Sequence, residues 1–257
     1  MTPALADLLE ITNRFLWHGI AVFLRVAPLV AMLPAFGERT VPARVKLVIV
    51  LGFVLIIAPA VPRIPMVAGF DTLITLAATE TLAGLTLGIG VRLFILALQT
   101  TGSIAAQSTS LSQILGGAAA DPLPAMGYVL IIGGIALAVM AGLHIKAAAL
   151  VIQSYDLLPM GAFPSAKVVS EWGISRIAQA FALSFTLAAP FVILSVVYNL
   201  ALGVINKAMP QLMVAFVGAP LITAGGLLVL LLASPFMLEH WLNAMDAYLA
   251  NPYRMPR

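Results

Sequence analysis

The stretch NKAMPQLMVAFVGAP, Asn206 to Pro220, lies between two long apolar runs, and its reading decides the fold. Lys207, Pro210 and Gln211 follow one run, and Gly218 and Pro220 interrupt the start of the next. Hydrocarbon offers no partner to polar side chains or to backbone groups freed from a helix. A plain membrane anchor needs no such passage. The segment is either an ordinary loop at the membrane surface or a broken helix kept wet by a protein assembly.

Composition supports the membrane setting. The chain has 257 residues, 62% hydrophobic and only 9% charged, where a soluble domain carries about 25% charged residues. The solvent for this surface is lipid, partner protein, or both. A scattered net charge of +3 argues against nucleic acid as a partner. The absence of cysteine excludes disulfides, thiolate metal sites and cysteine nucleophiles. His18, His144 and His240 show no metal-ligand spacing, so no metal is expected. No phosphate loop, dinucleotide fingerprint or H-E-x-x-H motif occurs. Catalytic residues and cofactors are therefore not assigned, and the chain does not read as an enzyme.

Apolar runs predict an all-α fold of hydrophobic helices, some kinked or broken, at 15–34, 45–61, 72–98, 125–157, 176–205 and 212–237. Six is a working number within five to eight. The fifth run would extend about 45 Å, longer than one bilayer, and Pro190 marks its kink site. Gly133, Gly134 and Gly142 mark a break in the fourth. The start, MTPALADLLEITNRF, reads as a retained short amphipathic helix rather than a signal peptide. Connections at 34–44, 62–71, 116–124 and 158–170 are rich in Pro and Gly. Arg39, Arg44 and Lys46 favour a cytoplasmic first loop.

Charges inside apolar runs are the candidate contacts. Arg25 is either a membrane-end arginine that snorkels or one paired inside an assembly or facing a polar lumen. Glu80 and Arg92 are separated by ~18 Å on one straight helix, so each needs another partner or a bend. Lys146 could set its helix at an interface, and Lys207 tolerates water at the turn far better than lipid. His144 has no acidic or cysteine neighbour. Segment 99–122 carries Ser, Thr and Gln side chains up to Gln113 and no charge until Asp121, and reads as a polar packing helix plus loop or as the lining of a translocation path.

Three stretches together resemble the FliR/SctT family, the R-type subunit of the flagellar and type III secretion export gate. RVAPLVAMLPAFGERTVPARVK (25–46) resembles its opening signature through Pro34, Phe36, Gly37, Val41 and Pro42. GLHIKAAALVIQSYDLLPMG (142–161) resembles the second through Gly142, His144, Ser154, Pro159 and Gly161. ALGVINKAMPQLMVAFVGAPLITAGGL (201–227) resembles the third through Gly203, Pro210, Gln211, Phe216, Gly218 and Pro220. Lys207 departs from a common arginine, and 212–216 is less polar than usual.

The resemblance implies a non-enzymatic component of the export gate, in the bacterial inner membrane at the flagellar basal body. It would consist of a P-like portion, about 1–170, and a Q-like helical hairpin, about 171–257. Its implied partners are P-type and Q-type gate subunits, a B-type subunit, the large cytoplasmic gate protein and passing unfolded substrates, besides membrane lipid. An injectisome subunit of the same family is an alternative; a self-sufficient small-molecule transporter is the rival from outside it.

Overall fold

The computed structural model describes residues 3–63, 69–109, 125–209 and 214–253, and every regular element among them is helical. The order is α1 (Pro3–Met32), α2 (Ala43–Ile57) with a 3₁₀ turn at Ala58–Ala60, α3 (Phe70–Thr109), α4 (Ala125–Met140), α5 (Leu143–Leu157), α6 (Ala166–Ala208) and α7 (Val214–Ala250). Five of these are long and apolar enough to cross a membrane, and α4 with α5 forms a sixth, broken candidate. The protein is an all-α, multi-pass membrane protein.

Helices α1, α3, α6 and α7 run longer than the apolar runs predict. The expected short N-terminal helix is continuous with the first span in one 30-residue α1, since neither proline nor glycine separates them. Helix α3 continues beyond residue 98 through the polar segment to Thr109, because its hydroxyls close on their own helix: Thr101 Oγ1 donates to the Ala97 carbonyl and Thr109 Oγ1 to that of Ala105. Ser110, Ser112 and Gln113 lie outside the described residues. Pro190 lies inside the 43-residue α6, and Gly218, Pro220 and Pro235 inside the 37-residue α7. A proline forfeits one backbone bond, and the ladder on either side of it still carries the helix.

The passage over 206–220, read as a loop or a broken helix, is largely helical among its described residues. Helix α6 ends at Ala208 and α7 starts at Val214. Pro210 and Gln211 lie outside the described residues, as does the side chain of Phe216. The break expected in the fourth run falls at Gly142, whose φ of +80 separates α4 from α5.

The chain forms two compact units. The first comprises 1–92, 139–176 and 245–257; the second comprises 93–138 and 177–244. In the first, Val22, Val26, Leu29 and Leu33 form one buried stripe of α1 at helical spacing. It meets α3 at two glycines: a Cβ on Gly84 would strike the Arg25 carbonyl, and one on Gly88 would press on Met32 and Leu29. In the second, Leu98, Leu130, Phe191 and Trp241 are fully buried, and α3 passes α4 backbone to backbone at Gly102 and Gly127. Small residues allow such approach where lipid gives no hydrophobic drive to helix pairing.

Candidate functional site

Arg25 and Glu80 are 1% and 0% exposed, and they meet although 55 positions separate them. Arg25 Nε donates to Glu80 Oε2 at 2.8 Å and Nη2 to Oε1 at 3.2 Å. The planar guanidinium forks onto the carboxylate, an arrangement lysine cannot reproduce. Arg25 Nη1 also donates to Ser154 Oγ at 3.0 Å, and Nη2 to the Leu158 carbonyl at 2.9 Å. The Tyr155 ring lies 3.7 Å from the guanidinium carbon. Glu80 Oε1 accepts the Gly161 backbone N–H at 3.2 Å. Helices α1, α3 and α5 thus share one buried centre.

That centre fixes the turn after α5 from two sides. Arg25 holds the carbonyl of Leu158 and Glu80 holds the N–H of Gly161. Between them lie Pro159 and Met160, and Gly161 has a φ of +74, which explains the glycine. Two buried charges lose several kcal/mol of hydration each, so a pair persists only when its remaining donors and acceptors are also bonded. Here they are. The two alternatives for Arg25, snorkelling or pairing in an assembly or lumen, both give way to a pair inside the chain.

The other embedded charges also find partners in the same unit. Arg92 Nη1 reaches Glu38 at 2.8 Å, with both side chains about one-third exposed. Lys146 Nζ reaches both oxygens of Asp246 at 2.7 Å, again about one-third exposed. Glu80 and Arg92 thus pair with separate residues, as their spacing on one helix requires. The C-terminal segment is tied in as well: Trp172 Nε1 and Arg176 Nη2 both donate to the Pro252 carbonyl, and Tyr248 Oη donates to that of Leu87. Lys207 is exposed in the last turn of α6, and His144 is exposed on α5.

The signature positions of the first stretch build the α1–α2 turn. Pro34 is buried, and Phe36 packs edge-on against Phe53 with ring centroids 6.4 Å apart. Gly37 N–H donates to the Leu33 carbonyl at 2.7 Å, and a Cβ on Gly37 would collide with the Ala31 carbonyl. Val41 is half-buried, and Pro42 caps α2 while its carbonyl accepts from Val45 and Lys46. Farther on, Gly203 faces open space on α6, and Pro220 is exposed. Gly218 is buried where a Cβ would meet the Tyr198 hydroxyl.

Sequence reasoning missed Glu38, Tyr155, Trp172, Arg176 and Asp246 as contact residues. Their partners lie 54, 130, 80, 76 and 100 positions away, and no local pattern signals such pairing. Among the described residues, no three His, Asp or Glu side chains gather as a metal site. The arrangement binds the chain to itself.

The family model for bacterial export proteins, family 1, matches residues 16–248. The chain is 32% identical to the flagellar biosynthetic protein FliR of Caulobacter vibrioides over 82% of this chain and 86% of that one. It is 28% identical to the protein of the same name from Escherichia coli, over 93% and 92%, and 25% identical to that from Aquifex aeolicus, over 88% of each. The chain belongs to this family of bacterial export proteins, the FliR family.

Proposed function

We propose that this FliR-family member is a structural subunit of the flagellar protein-export gate in the bacterial inner membrane. It acts by position rather than catalysis, helping P-type and Q-type subunits close a narrow passage for unfolded substrates. A B-type subunit and the large cytoplasmic gate protein complete its surroundings. Residues up to about 170 serve as the P-like portion, and the remainder as a Q-like hairpin. Each relative named above carries a flagellar name, which favours the flagellum over an injectisome.

One observation carries the reading. Helices α3, α6 and α7 have 40, 43 and 37 residues, so straight they would extend about 55–65 Å. Bilayer hydrocarbon is only about 30 Å thick. The apolar windows of α6 and α7 are 28% and 17% buried within the chain, and their outer faces expose Phe181, Phe185, Leu200, Leu231 and Phe236. Lipid alone does not cover such lengths. Long helices of neighbouring subunits do, and this supports an assembly over a self-sufficient transporter.

Two experiments test the proposal. Co-purification with P-type and Q-type subunits should give one stable particle, and a substrate arrested during export should cross-link to this chain within it. Efficient arrest without any cross-link would remove the channel role, and a monomer that transports a small solute unaided would replace the reading.

A further inference from the structure

Helix α2 differs from the long helices because its apolar length fits a single bilayer. From Leu47 to Pro62 the chain has no polar or charged side chain, and Arg44 and Arg63 stand beyond the two ends. Helical rise puts these arginines roughly 28 Å apart, close to the ~30 Å of hydrocarbon. The outward face is bare: Val48, Leu51 and Leu55 are 68%, 47% and 77% exposed. Arg44 belongs to that face, because 44, 48, 51 and 55 follow one helical stripe.

The neighbouring charges are engaged. Glu38 accepts from Arg92, and Lys46 Nζ donates to the Gly37 carbonyl at 2.9 Å. Arg39 and Arg44 are exposed and have no partner among the described residues. Two uncommitted guanidiniums therefore stand just before and at the start of α2, one of them directly above an apolar stripe.

The geometry points to a headgroup site for an anionic phospholipid, with the phosphate held by Arg39 and Arg44 and an acyl chain lying along Val48, Leu51 and Leu55. Guanidinium matches phosphate in charge and in its paired donors. A lipid also carries its charge and its apolar tail in the order that α2 presents their complements. An acidic partner segment would satisfy the arginines but leaves the bilayer-length stripe to another occupant. The site depends on α2 lying in a membrane and not on the export role.

The test uses the full chain, purified in detergent micelles doped equally with phosphatidylglycerol and phosphatidylcholine, with retained lipid counted by native mass spectrometry. Wild type should retain phosphatidylglycerol preferentially. The double variant Arg39→Gln/Arg44→Gln should lower that preference at least about fivefold, since each boundary arginine contributes roughly that factor. Lys167→Gln, which removes an exposed cation elsewhere, should leave it unchanged, and circular dichroism should show equal helicity in all three. Equal retention of the two lipids, or an undiminished preference in the double variant, overturns the site. So does displacement by excess inorganic phosphate, because a bare anion would then suffice. Cross-linking of both arginines to a partner chain in the assembled gate would make the occupant protein and also refute it.

Discussion

Only Asp121, Lys207 and Glu239 carry charge in the second unit, while the rest of the chain's 13 basic and 10 acidic side chains lie in the first. The first unit is organised around them. Arg25–Glu80, Arg92–Glu38 and Lys146–Asp246 each join segments far apart in sequence. The second unit relies on close backbone approach, at Gly102 with Gly127, Gly134 against Leu98 and Trp241, and Gly226 against Thr109. Its hydroxyls bond locally or to neighbouring carbonyls, as when Thr101 donates to Ala97 and Ser184. Apolar helices can thus be matched either by a few costly polar pairs that accept one partner or by many small surfaces that need contact. The first device gives register, and the second gives proximity.

The largest test of this contrast is Glu80→Ala. It strands a buried guanidinium and frees the Gly161 N–H, so it should cost about 3–5 kcal/mol. Replacing both partners, Arg25→Met with Glu80→Leu, should recover most of that loss. Thermal unfolding in detergent compares the two. If the single variant is no less stable than the double, charge does not organise the first unit.

Next in size is a pair of glycine substitutions in the second unit. A Cβ on Gly102 would run into the Gly127 backbone, whereas one on Gly127 would lie 3.3 Å from the Gly102 Cα. Gly102→Ala should therefore cost about 1–3 kcal/mol, as overpacking does, and Gly127→Ala clearly less. Equal costs in the same unfolding assay would mean that these helices are free to separate, and proximity would not be their principle.

These features were unequally legible. Apolar runs located every long helix; of the three glycines read as a break in the fourth run, α4 passes through Gly133 and Gly134, and Gly142 makes the break, since a left-handed residue stops a helix wherever it falls. Helix ends were less legible. Thr101 and Thr109 look like breakers of an apolar run, yet they satisfy themselves on their own turn. Pro220 looks like an interruption at the start of its run, and α7 passes through it. For Arg25 and Glu80, the need for partners was legible and their mutual pairing was not, because identity of a partner is set by packing at a separation of 55 residues. Asp246 gave no signal at all near the chain's polar end.

The Lys146–Asp246 bond shows where polar pairing stops mattering. With both side chains about one-third exposed, water already screens the pair, and Asp246→Asn should cost no more than about 1 kcal/mol. Raising salt should shrink even that difference. A cost rivalling that of Glu80→Ala would show that burial is not what separates the two pairs. Exchange of the charges, Lys146→Asp with Asp246→Lys, should restore the wild-type melting temperature.

The smallest effect sits at the chain's end, beyond the apolar windows. Tyr253 is half-buried, and its hydroxyl is enclosed without a hydrogen-bond partner among the described residues. Burial pushes its pKa up from 10.0 to about 12, with the Arg25 charge opposing the rise. The folded chain thus holds this proton more tightly than the unfolded one. The stability from this linkage is complete below pH 10.0 and fades as pH climbs through about 12. Tyr253→Phe removes both the titration and an unpaired hydroxyl, so its melting temperature at neutral pH should equal or slightly exceed that of wild type. Over the alkaline range its stability should fall less steeply than wild type's, and this difference isolates Tyr253 from the other tyrosines. Parallel curves would place the phenol in water. The seat that Trp172 and Arg176 provide for Pro252 would then end one residue short of it, and the charge-organised unit would not extend to the last turn of the described chain.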